Sequence, residues 1–197
     1  MGKLIMVRHG KSEANRSLIF AASGEVQLTE VGRRQAQELV ERISSRFRPE
    51  RVVSSKFKRA LQTAEIIAAG LQLPLEVFDG LQERDLGYLK GRPWAERPEA
   101  SAEAANFLKT EEQWLWRPEG GESYEDVRQR AVAVLLSIGE RYPRQDVVVA
   151  SHGAVMLAVW AHLAGGYQHA RVPRNCGIML IEYEEGGLGG LQIFEDD

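Results

Sequence analysis

The sequence lacks several features that mark special classes of protein. Its 197 residues contain one cysteine, Cys176, which excludes an internal disulfide and argues against a thiolate metal site. We interpret this cysteine as a small buried apolar residue. The apolar run near the N-terminus, residues 4–7, is too short for a signal sequence or a membrane span. We therefore expect a cytoplasmic protein that does not bind a membrane.

The chain also lacks a concentration of positive charge. Its net charge is -3 and its 25 lysine and arginine residues are spread along the sequence, whereas a protein that binds nucleic acid carries a basic face. No repeat or low-complexity tract interrupts the chain, and 44% hydrophobic residues suffice for one core. We expect a single domain over residues 1–197 that does not bind nucleic acid, and we leave a homodimer open.

Apolar runs predict the strands. Residues 4–7 and 147–150 are continuously apolar, which is typical of strands buried on both faces. Glycine-rich residues 186–190 predict a hairpin loop close to the C-terminus. Four further strands are predicted at 51–55, 75–78, 178–183 and 191–194.

Helical patterns lie between these strands. Thr29 is a candidate N-cap for a helix to about Ile43, and Ser123 with Asp126 approximates a capping box for a helix into Arg141. Another helix is predicted from about residue 56 to residue 71. Strands that alternate with helices imply βαβ units. The predicted fold class is therefore α/β, with a mainly parallel central sheet of about six strands and helices on both faces.

Residues from about 88 to 122 break this alternation. Several prolines interrupt the segment, which also carries three of the four tryptophans, Trp94, Trp114 and Trp116. We predict an inserted helical cap over the carboxyl edge of the sheet. The alternative, that the tryptophans only pack this segment onto the sheet, stays open.

Two histidines directly follow the most apolar strands. His9 comes after residues 4–7 and His152 after residues 147–150, and ligands of open α/β sheets bind outside the carboxyl ends of the strands. A glycine follows each histidine, Gly10 and Gly153, which removes a side chain where a backbone amide could approach an anion. We interpret the other two of the four histidines as structural or surface residues: His162 and His169.

Two arginines indicate which kind of ligand would bind at this edge of the sheet. Arg8 adjoins His9, and Arg59 falls in the first helical turn after the strand at 51–55. Guanidinium groups bind phosphoryl oxygens bidentately and stabilise developing charge, and a helix N-terminus attracts anions. The pattern indicates a phosphate site.

A phosphate ester also needs an acid that protonates its leaving oxygen. Glu83 is the candidate, because it lies in a loop that leaves the carboxyl end of the strand at 75–78. Asp85 lies in the same loop, and spacing alone does not choose between the two carboxylates.

At this point the sequence resembles the histidine phosphatase superfamily, also called phosphoglycerate-mutase-like. Residues 8–15 resemble its signature Arg-His-Gly-x-Ser-x-x-Asn, which is the most specific element. The resemblance continues through most of the chain: Leu-Thr-x-x-Gly at 28–32, Ser-x-x-x-Arg-Ala-x-x-Thr-Ala at 55–64, the acid loop at 81–91, Gly-Glu-Ser at 121–123 and Ser-His-Gly at 151–153.

The resemblance implies a role for each candidate residue. His9 would become phosphorylated, and Arg8, Arg59 and His152 would form the rest of the phosphate pocket. Glu83 rather than Asp85 would be the general acid and base. The substrate-binding residues would be Asn15, Ser12 and Gly153.

The same resemblance implies chemistry without a metal or another cofactor. A neutral imidazole can attack phosphorus, and the phosphoramidate that it forms is easily hydrolysed. The implied partner is a small phosphorylated metabolite as substrate.

Phosphatases and mutases of this family share the core, so the choice between them depends on other positions. Leu86 and Trp94 stand where the mutases usually carry a tyrosine and a substrate-binding lysine, and no clear counterpart of their paired arginines surrounds Arg117. A glycerate carboxylate would be poorly compensated here, so we predict a phosphatase. Three alternatives stay open: a cofactor-dependent phosphoglycerate mutase, a metal hydrolase and a catalytically silent phosphate-binding module.

Overall fold

The computed structural model describes residues 2–96, 114–168, 170–184 and 187–194. This part of the chain contains one six-stranded sheet, made of β1 (Gly2–Arg8), β2 (Arg51–Ser54), β3 (Leu75–Val77), β4 (Asp146–Ser151), β5 (Ile178–Glu184) and β6 (Gly187–Phe194). The strand order is β3-β2-β4-β1-β5-β6. The first four strands in that order pair in parallel, and the pairs β1 with β5 and β5 with β6 are antiparallel. The predicted α/β fold with six mainly parallel strands is confirmed.

Helices cover both faces of the sheet. Those of eight or more residues in the described ranges are α2 (Glu30–Arg46), α3 (Lys58–Leu71), α4 (Tyr124–Arg141) and α5 (Gly153–Leu163), and α1 is the short helix Glu13–Ser17. Thr29 caps α2 by accepting the amide of Gly32 at 3.0 Å, and Ser123 and Asp126 form the capping box of α4. Both predicted N-caps are confirmed.

Successive residues of the central strands face opposite cores, as the pleat requires. Met6 of β1 lies in one core with Leu135 of α4 and Val159 of α5. Ile5 lies in the other core with side chains of α2 and α3 such as Leu39. All of these side chains are fully buried, and each stabilises the fold by roughly 1.5–3 kcal/mol relative to exposure. The continuous apolar runs are therefore the parts of the sheet that hold both layers of helices.

The predicted glycine hairpin loop is wrong for residues 187–190. Strand β6 begins at Gly187, and Leu188 and Gly189 pair with Tyr183 and Glu182 of β5. A register shift next to Glu182 and the positive φ of 52° at Gly190 show how β6 accommodates these residues, as a bulge does. Glycine here allows an irregular strand rather than a loop.

Several other boundaries and one segment also differ from the predictions. Helix α3 begins at Lys58 rather than near residue 56, and β3 ends at Val77 rather than at residue 78. Helix α5 was not predicted. Residues 97–113 of the predicted helical cap lie outside the described residues; the described flanks of this segment include short 3₁₀ turns at Gly87–Leu89 and Trp94–Glu96.

The topology brings the candidate site residues to one edge. Strands β2, β4 and β1 are neighbours and run parallel, so their carboxyl ends, followed by Ser55, His152 and His9, lie side by side. Arg8 pairs in register with Ser151. Among the described helices, none is long and apolar enough to cross a membrane.

Candidate active site

His9 is held in one tautomer at the end of β1. Its ring is 2% exposed, and Nδ1 lies 2.7 Å from the carbonyl oxygen of Gly10. Because a carbonyl can only accept, Nδ1 carries the proton and Nε2 keeps its lone pair when the ring is neutral. The Nε–H of Arg59 donates to that lone pair at 3.2 Å. The lone pair that a nucleophile needs is thus on the nitrogen next to a guanidinium.

The surroundings of His9 keep its ring neutral. Burial, and after it the positive charges of Arg59 and Arg8, hold the pKa of His9 well below the ordinary value of 6.5. Burial penalises the charged form and like charges add to that penalty. At neutral pH the ring therefore presents an unprotonated Nε2.

His152 lies beside His9 at the end of β4. Its ring is fully buried, and the two ring centroids are 5.2 Å apart. Nε2 lies 2.9 Å from the hydroxyl oxygen of Ser55. Burial, and then the charge of Arg59, also hold the pKa of His152 well below 6.5.

The two arginines leave nitrogens unpaired at the site. Arg8 donates through Nη1 to the carbonyl oxygen of Pro173 at 2.7 Å, yet its Nε has no partner, nor does Nη1 of Arg59 or Nδ1 of His152, within the described ranges. Burial lowers the pKa of both arginines, but a guanidinium stays protonated at physiological pH. Each buried unpaired N–H costs about 1–3 kcal/mol. A bound anion would remove that cost.

Glu83 reaches the same place from the acid loop. Its Oε1 accepts the amides of Arg84 at 3.0 Å and of Ala154 at 3.1 Å, so the carboxylate lies against the first turn of α5, where a negative charge is favoured. A carboxylate oxygen of Glu83 and ring nitrogens of His9 and His152 all lie within 4.8 Å of one another.

Asp85 has a different environment. Its carboxylate accepts the amide of Gly87 at 2.8 Å and pairs with Lys90 at 2.9 Å, and its side chain is 45% exposed. Although partial burial raises the pKa of Asp85, the bonds from Gly87 and Lys90 outweigh it and lower that pKa. Asp85 thus stays an anion with partners of its own.

Arg130 and Glu122 brace the acid loop. The guanidinium of Arg130 binds both carboxylate oxygens of Glu122, at 2.8 and 2.9 Å, and donates to the carbonyl oxygens of Gly80 and Glu83 at 2.8 and 3.3 Å. Glu122 accepts the amide of Asp85 at 2.9 Å. Through these bonds α4 fixes the backbone on both sides of the Glu83 side chain.

The predicted substrate-binding residues Ser12 and Asn15 use most of their polar groups in hydrogen bonds to the protein. Ser12 is the N-cap of α1, and its hydroxyl donates to Oδ1 of Asn15 at 3.1 Å and accepts the amide of Asn15 at 3.3 Å. Asn175 also donates to that Oδ1 at 3.3 Å and to the carbonyl oxygen of His9 at 2.8 Å. Nδ2 of Asn15 is therefore the group left for a ligand.

The two glycines that follow the histidines both lie in closely packed surroundings. The amide of Gly10 donates to Thr63 at 3.1 Å, so this amide is not the one that could approach an anion. A Cβ at Gly10 would lie 2.4 Å from the carbonyl oxygen of Gly32, and a Cβ at Gly153 would lie 2.7 Å from Val172 and 3.4 Å from Nε of Arg8. Close packing therefore requires both glycines, and Gly153 leaves room for Arg8.

A cavity of about 360 Å³ opens over this cluster. Arg8, Arg59 and Glu83 line one part of it, together with Arg84, which is 5% exposed. The guanidinium of Arg84 packs over the ring of Tyr124 at 4.1 Å and donates to the carbonyl oxygens of Glu122 and Trp116 at 2.8 and 3.1 Å. The described apolar wall consists of Ala14, Ile19, Phe20, Ala21, Leu86, Leu89, Trp94, Trp116, Tyr124, Ala154 and Val172.

Among the described residues, the group that could hold a metal is His9, Glu83 and His152. Two imidazoles and a carboxylate are a common donor set. The positive charges of Arg8 and Arg59 beside them oppose a cation and favour an anion instead.

His162 does not join the cluster. Nδ1 of His162 lies 3.1 Å from Nη1 of Arg128, next to a separate cavity of about 530 Å³. His169 lies outside the described residues. For His162 the prediction of a structural residue agrees with these contacts.

Several residues at the site had no individual signal in the sequence. Asn175 and Arg130 follow no apolar strand, and nothing in their spacing points to the site. Ser55 and Thr63 belong to the block at 55–64, so the resemblance included them, but it did not say which atoms they contact.

Comparisons with known proteins agree with the geometry. A sequence model described as the histidine phosphatase superfamily (branch 1) matches residues 4–195. A metal-independent phosphoserine phosphatase of Arabidopsis thaliana is 34% identical over 163 residues, which are 82% of this chain and 68% of that protein. An uncharacterized phosphatase, PhoE, of Bacillus subtilis (strain 168) is 30% identical over 188 residues, which are 94% of this chain and 90% of that protein.

A solved structure extends the likeness to the fold. The phosphoserine phosphatase from Entamoeba histolytica in complex with 3-phosphoglyceric acid gives a TM-score of 0.81 at 25% identity, covering 100% of this chain and 98% of that chain.

Proposed function

Because this chain belongs to the histidine phosphatase superfamily, we propose that it hydrolyses phosphate monoesters through a phosphohistidine on His9. The observation that carries the proposal is the arrangement around Nε2 of His9. Its lone pair is held free of a proton by the Nδ1 bond to Gly10, and unpaired nitrogens of Arg8 and Arg59 lie beside it. A nucleophile and its anion site therefore coincide.

In the first step Nε2 of His9 attacks phosphorus and the bond between phosphorus and the ester oxygen breaks. The leaving oxygen takes its proton from Glu83, whose carboxyl group lies next to both histidines. Arg8 and Arg59 hold the phosphoryl oxygens as charge develops on them. The phosphorylated ring keeps its Nδ1 proton, which the carbonyl oxygen of Gly10 stabilises.

In the second step water attacks phosphorus and gives a proton to the Glu83 carboxylate. The bond between phosphorus and Nε2 breaks, the electron pair returns to Nε2, and inorganic phosphate leaves. Glu83 ends protonated and His9 neutral, so the enzyme is ready for the next turnover. The same carboxyl group is acid in one step and base in the other.

Water rather than a second hydroxyl group is the proposed acceptor. Leu86 and Trp94 line the cavity at the places where a mutase would need polar contacts to a glycerate. Arg117 is paired with Asp126 at 2.7 Å, so its charge is already compensated. These contacts favour a phosphatase over a mutase.

We further propose that the reaction needs no metal. The attacking atom is a nitrogen, so no water has to be activated by a metal in the first step. The positive charges that a metal would otherwise supply come from Arg8 and Arg59. A catalytically silent module is disfavoured because the nucleophile, both arginines and the candidate acid are all in place.

The substrate class is a small phosphorylated metabolite. A cavity of about 360 Å³ suits a small molecule. The relatives named for phosphoserine and bound to 3-phosphoglyceric acid support this class. The described apolar wall favours an organic group with apolar surface next to the phosphate.

Rapid-quench trapping of the enzyme with 4-nitrophenyl phosphate tests the proposal. In excess EDTA the wild type should form acid-labile, alkali-stable phosphoenzyme and release inorganic phosphate. His9→Ala should lose both signals, and His162→Ala, which removes a histidine outside the cavity, should keep them.

Three results would contradict this assignment. Acid-labile phosphoenzyme in His9→Ala would place the nucleophile elsewhere. Activity that EDTA abolishes and zinc or magnesium restores would indicate a metal hydrolase. Transfer of the phosphoryl group to a second hydroxyl in place of water would indicate a mutase.

A further inference from the structure

The hydrogen bonds around His152 bear on which of its two ring nitrogens carries the proton. The ring has one protein partner among the described residues, the Ser55 hydroxyl at 2.9 Å from Nε2, and its Nδ1 is buried without a partner there. The amide of Phe57 donates to the same hydroxyl oxygen at 3.2 Å. The bond between Ser55 and His152 can run in either direction, and the two directions place the ring proton on different nitrogens.

In one arrangement Nε2–H donates to the Ser55 oxygen. The Ser55 hydroxyl hydrogen then has no acceptor among its described contacts, because its other neighbour, the amide of Phe57, is itself a donor. Nδ1 of His152 would also keep a buried lone pair without a donor. Two buried groups would be unsatisfied, each costing about 1–3 kcal/mol.

In the other arrangement the Ser55 hydroxyl donates to Nε2. Ser55 then accepts one bond and donates one, so its hydroxyl is satisfied. The ring proton lies on Nδ1, and this N–H is the one group left without a partner in the described chain. It is a donor, which a phosphoryl oxygen would satisfy, whereas a lone pair would repel that oxygen.

We propose that Ser55 is a positioning residue that fixes the proton of His152 on Nδ1, so that Nδ1–H donates to the phosphoryl group of the substrate. This inference rests on the proposed function and deepens it. His9 and His152 then share one tautomer but present opposite atoms to the phosphate. His9 binds the protein through Nδ1–H and presents a lone pair, and His152 accepts from the protein through Nε2 and presents a proton.

The neutrality of His152 is what makes the direction of this bond matter. A doubly protonated ring would donate through both nitrogens whatever Ser55 did. Burial and the nearby guanidinium of Arg59 hold the pKa of His152 low, so the ring has a single proton to place. The same placement opposes metal binding through Nδ1, because that nitrogen has no free lone pair.

Long-range ¹H–¹⁵N correlation NMR of protein labelled with ¹⁵N-histidine, in phosphate-free buffer, measures the tautomer directly. His9 and His152 should both show the Nδ1–H pattern. His162 is an internal reference with the opposite pattern, Nε2–H, since its Nδ1 accepts from the guanidinium of Arg128. A wild-type His152 with its proton on Nε2 would overturn the proposal, whether or not any variant folds.

Ser55→Ala and Ser54→Ala form a matched pair. Both serines are fully buried, and the Ser54 hydroxyl donates to the Ser55 carbonyl oxygen at 2.8 Å without touching a histidine. Ser55→Ala should shift His152 toward Nε2–H or a mixture and weaken inorganic phosphate binding by about tenfold, the value of one charge-assisted hydrogen bond. Ser54→Ala should leave the His152 pattern and the phosphate affinity unchanged.

Ser55→Thr supplies the rescue, because it restores a hydroxyl and should restore the Nδ1–H pattern. Equal phosphate affinity and an unchanged tautomer in Ser55→Ala would overturn the positioning role. The tautomer is measured without turnover, so this outcome is distinct from failure of the proposed function, which is an absence of phosphohistidine on His9.

Discussion

Glu83→Gln removes the proposed acid while it disturbs the structure little. Oε1 of Glu83 accepts the amides of Arg84 and Ala154, and a glutamine oxygen can accept both. The second carboxylate oxygen makes no hydrogen bond to a described residue, so an amide nitrogen in its place breaks none. The loss of function should therefore come from lost proton transfer and from the change of charge.

The expected magnitude follows from these two changes. General acid catalysis contributes about 10²- to 10⁴-fold, or about 3–5 kcal/mol of barrier, so phosphorylation by an alkyl phosphate should slow by that factor. An aryl phosphate, whose leaving group needs little protonation, should lose much less in this step. Two like unit charges roughly 5 Å apart repel by about 3 kcal/mol at an effective dielectric constant of 20. Where Glu83 is ionised, removing its charge should therefore tighten inorganic phosphate binding by up to about 10²-fold, the factor that this energy represents.

Single-turnover kinetics on one aryl and one alkyl phosphate, with phosphate binding by calorimetry, is the assay. With the aryl substrate, phosphorylated His9 should accumulate, because glutamine cannot activate water. Asp85→Asn is the control, since that carboxylate is held by Lys90, and it should change each rate by less than about threefold. Equal losses on both substrates for Glu83→Gln, or a larger dependence on the leaving group for Asp85→Asn, would refute the assignment.

Three further changes test the surroundings of the site. The folded protein holds the pKa values of His9 and His152 below the ordinary 6.5, so the unfolded chain binds more protons below that pH. The free energy of unfolding, measured in urea, should therefore fall below pH 6.5 by up to about 1.4 kcal/mol per pH unit for each histidine. A flat profile from pH 7 to 5.5 would contradict this. Arg130→Lys loses the bidentate bonds that brace the acid loop, so kcat should fall about tenfold with KM little changed; an unchanged kcat would exclude the bracing role. Gly10→Ala places a Cβ 2.4 Å from a backbone carbonyl oxygen and should destabilise the folded protein by about 1–3 kcal/mol, measured by thermal unfolding. In the control Gly189→Ala the new Cβ meets nothing within 4 Å, so its stability should be nearly unchanged. Equal effects of the two substitutions would argue against the close contact at Gly10.

The parts of the fold that the sequence predicted are those with a distinct hydrophobic pattern, either a short continuous apolar run or a helical period. The strands at residues 4–7 and 147–150 are buried on both faces, and α2 and α4 have a polar side as well as an apolar one. Helix α5 has little such contrast, because Val155, Met156, Leu157, Ala158 and Val159 are all buried. A helix that is apolar on nearly every side shows no amphipathic period, and its sequence cannot be told from a buried strand by period alone.

The prediction of a loop at the glycine segment was wrong for a related reason. Glycine is typical of loops, yet it is also tolerated in a strand at a bulge. The sequence at 186–190 contains no side-chain alternation that would indicate pairing with Tyr183 or Glu182. Only the tertiary context, an available edge on β5, places residues 187–190 in the sheet.

For the candidate site, the sequence could predict which side chains lie together, but it could not predict the direction of the hydrogen bonds to the two imidazole rings. Strand ends that share one edge bring His9, His152 and Arg8 together in any parallel sheet with this strand order, so the apolar runs and the residues after them were sufficient. Which imidazole nitrogen carries a proton depends on a carbonyl at Gly10 and on a hydroxyl at Ser55, and neither contact has a periodic signature. The proposed chemistry depends on that detail, because the same two rings with the protons exchanged would present a donor at the proposed nucleophile and a lone pair at the phosphate. The catalysis that we propose for this edge thus rests on two neutral partners that no pattern of charged or apolar residues reveals.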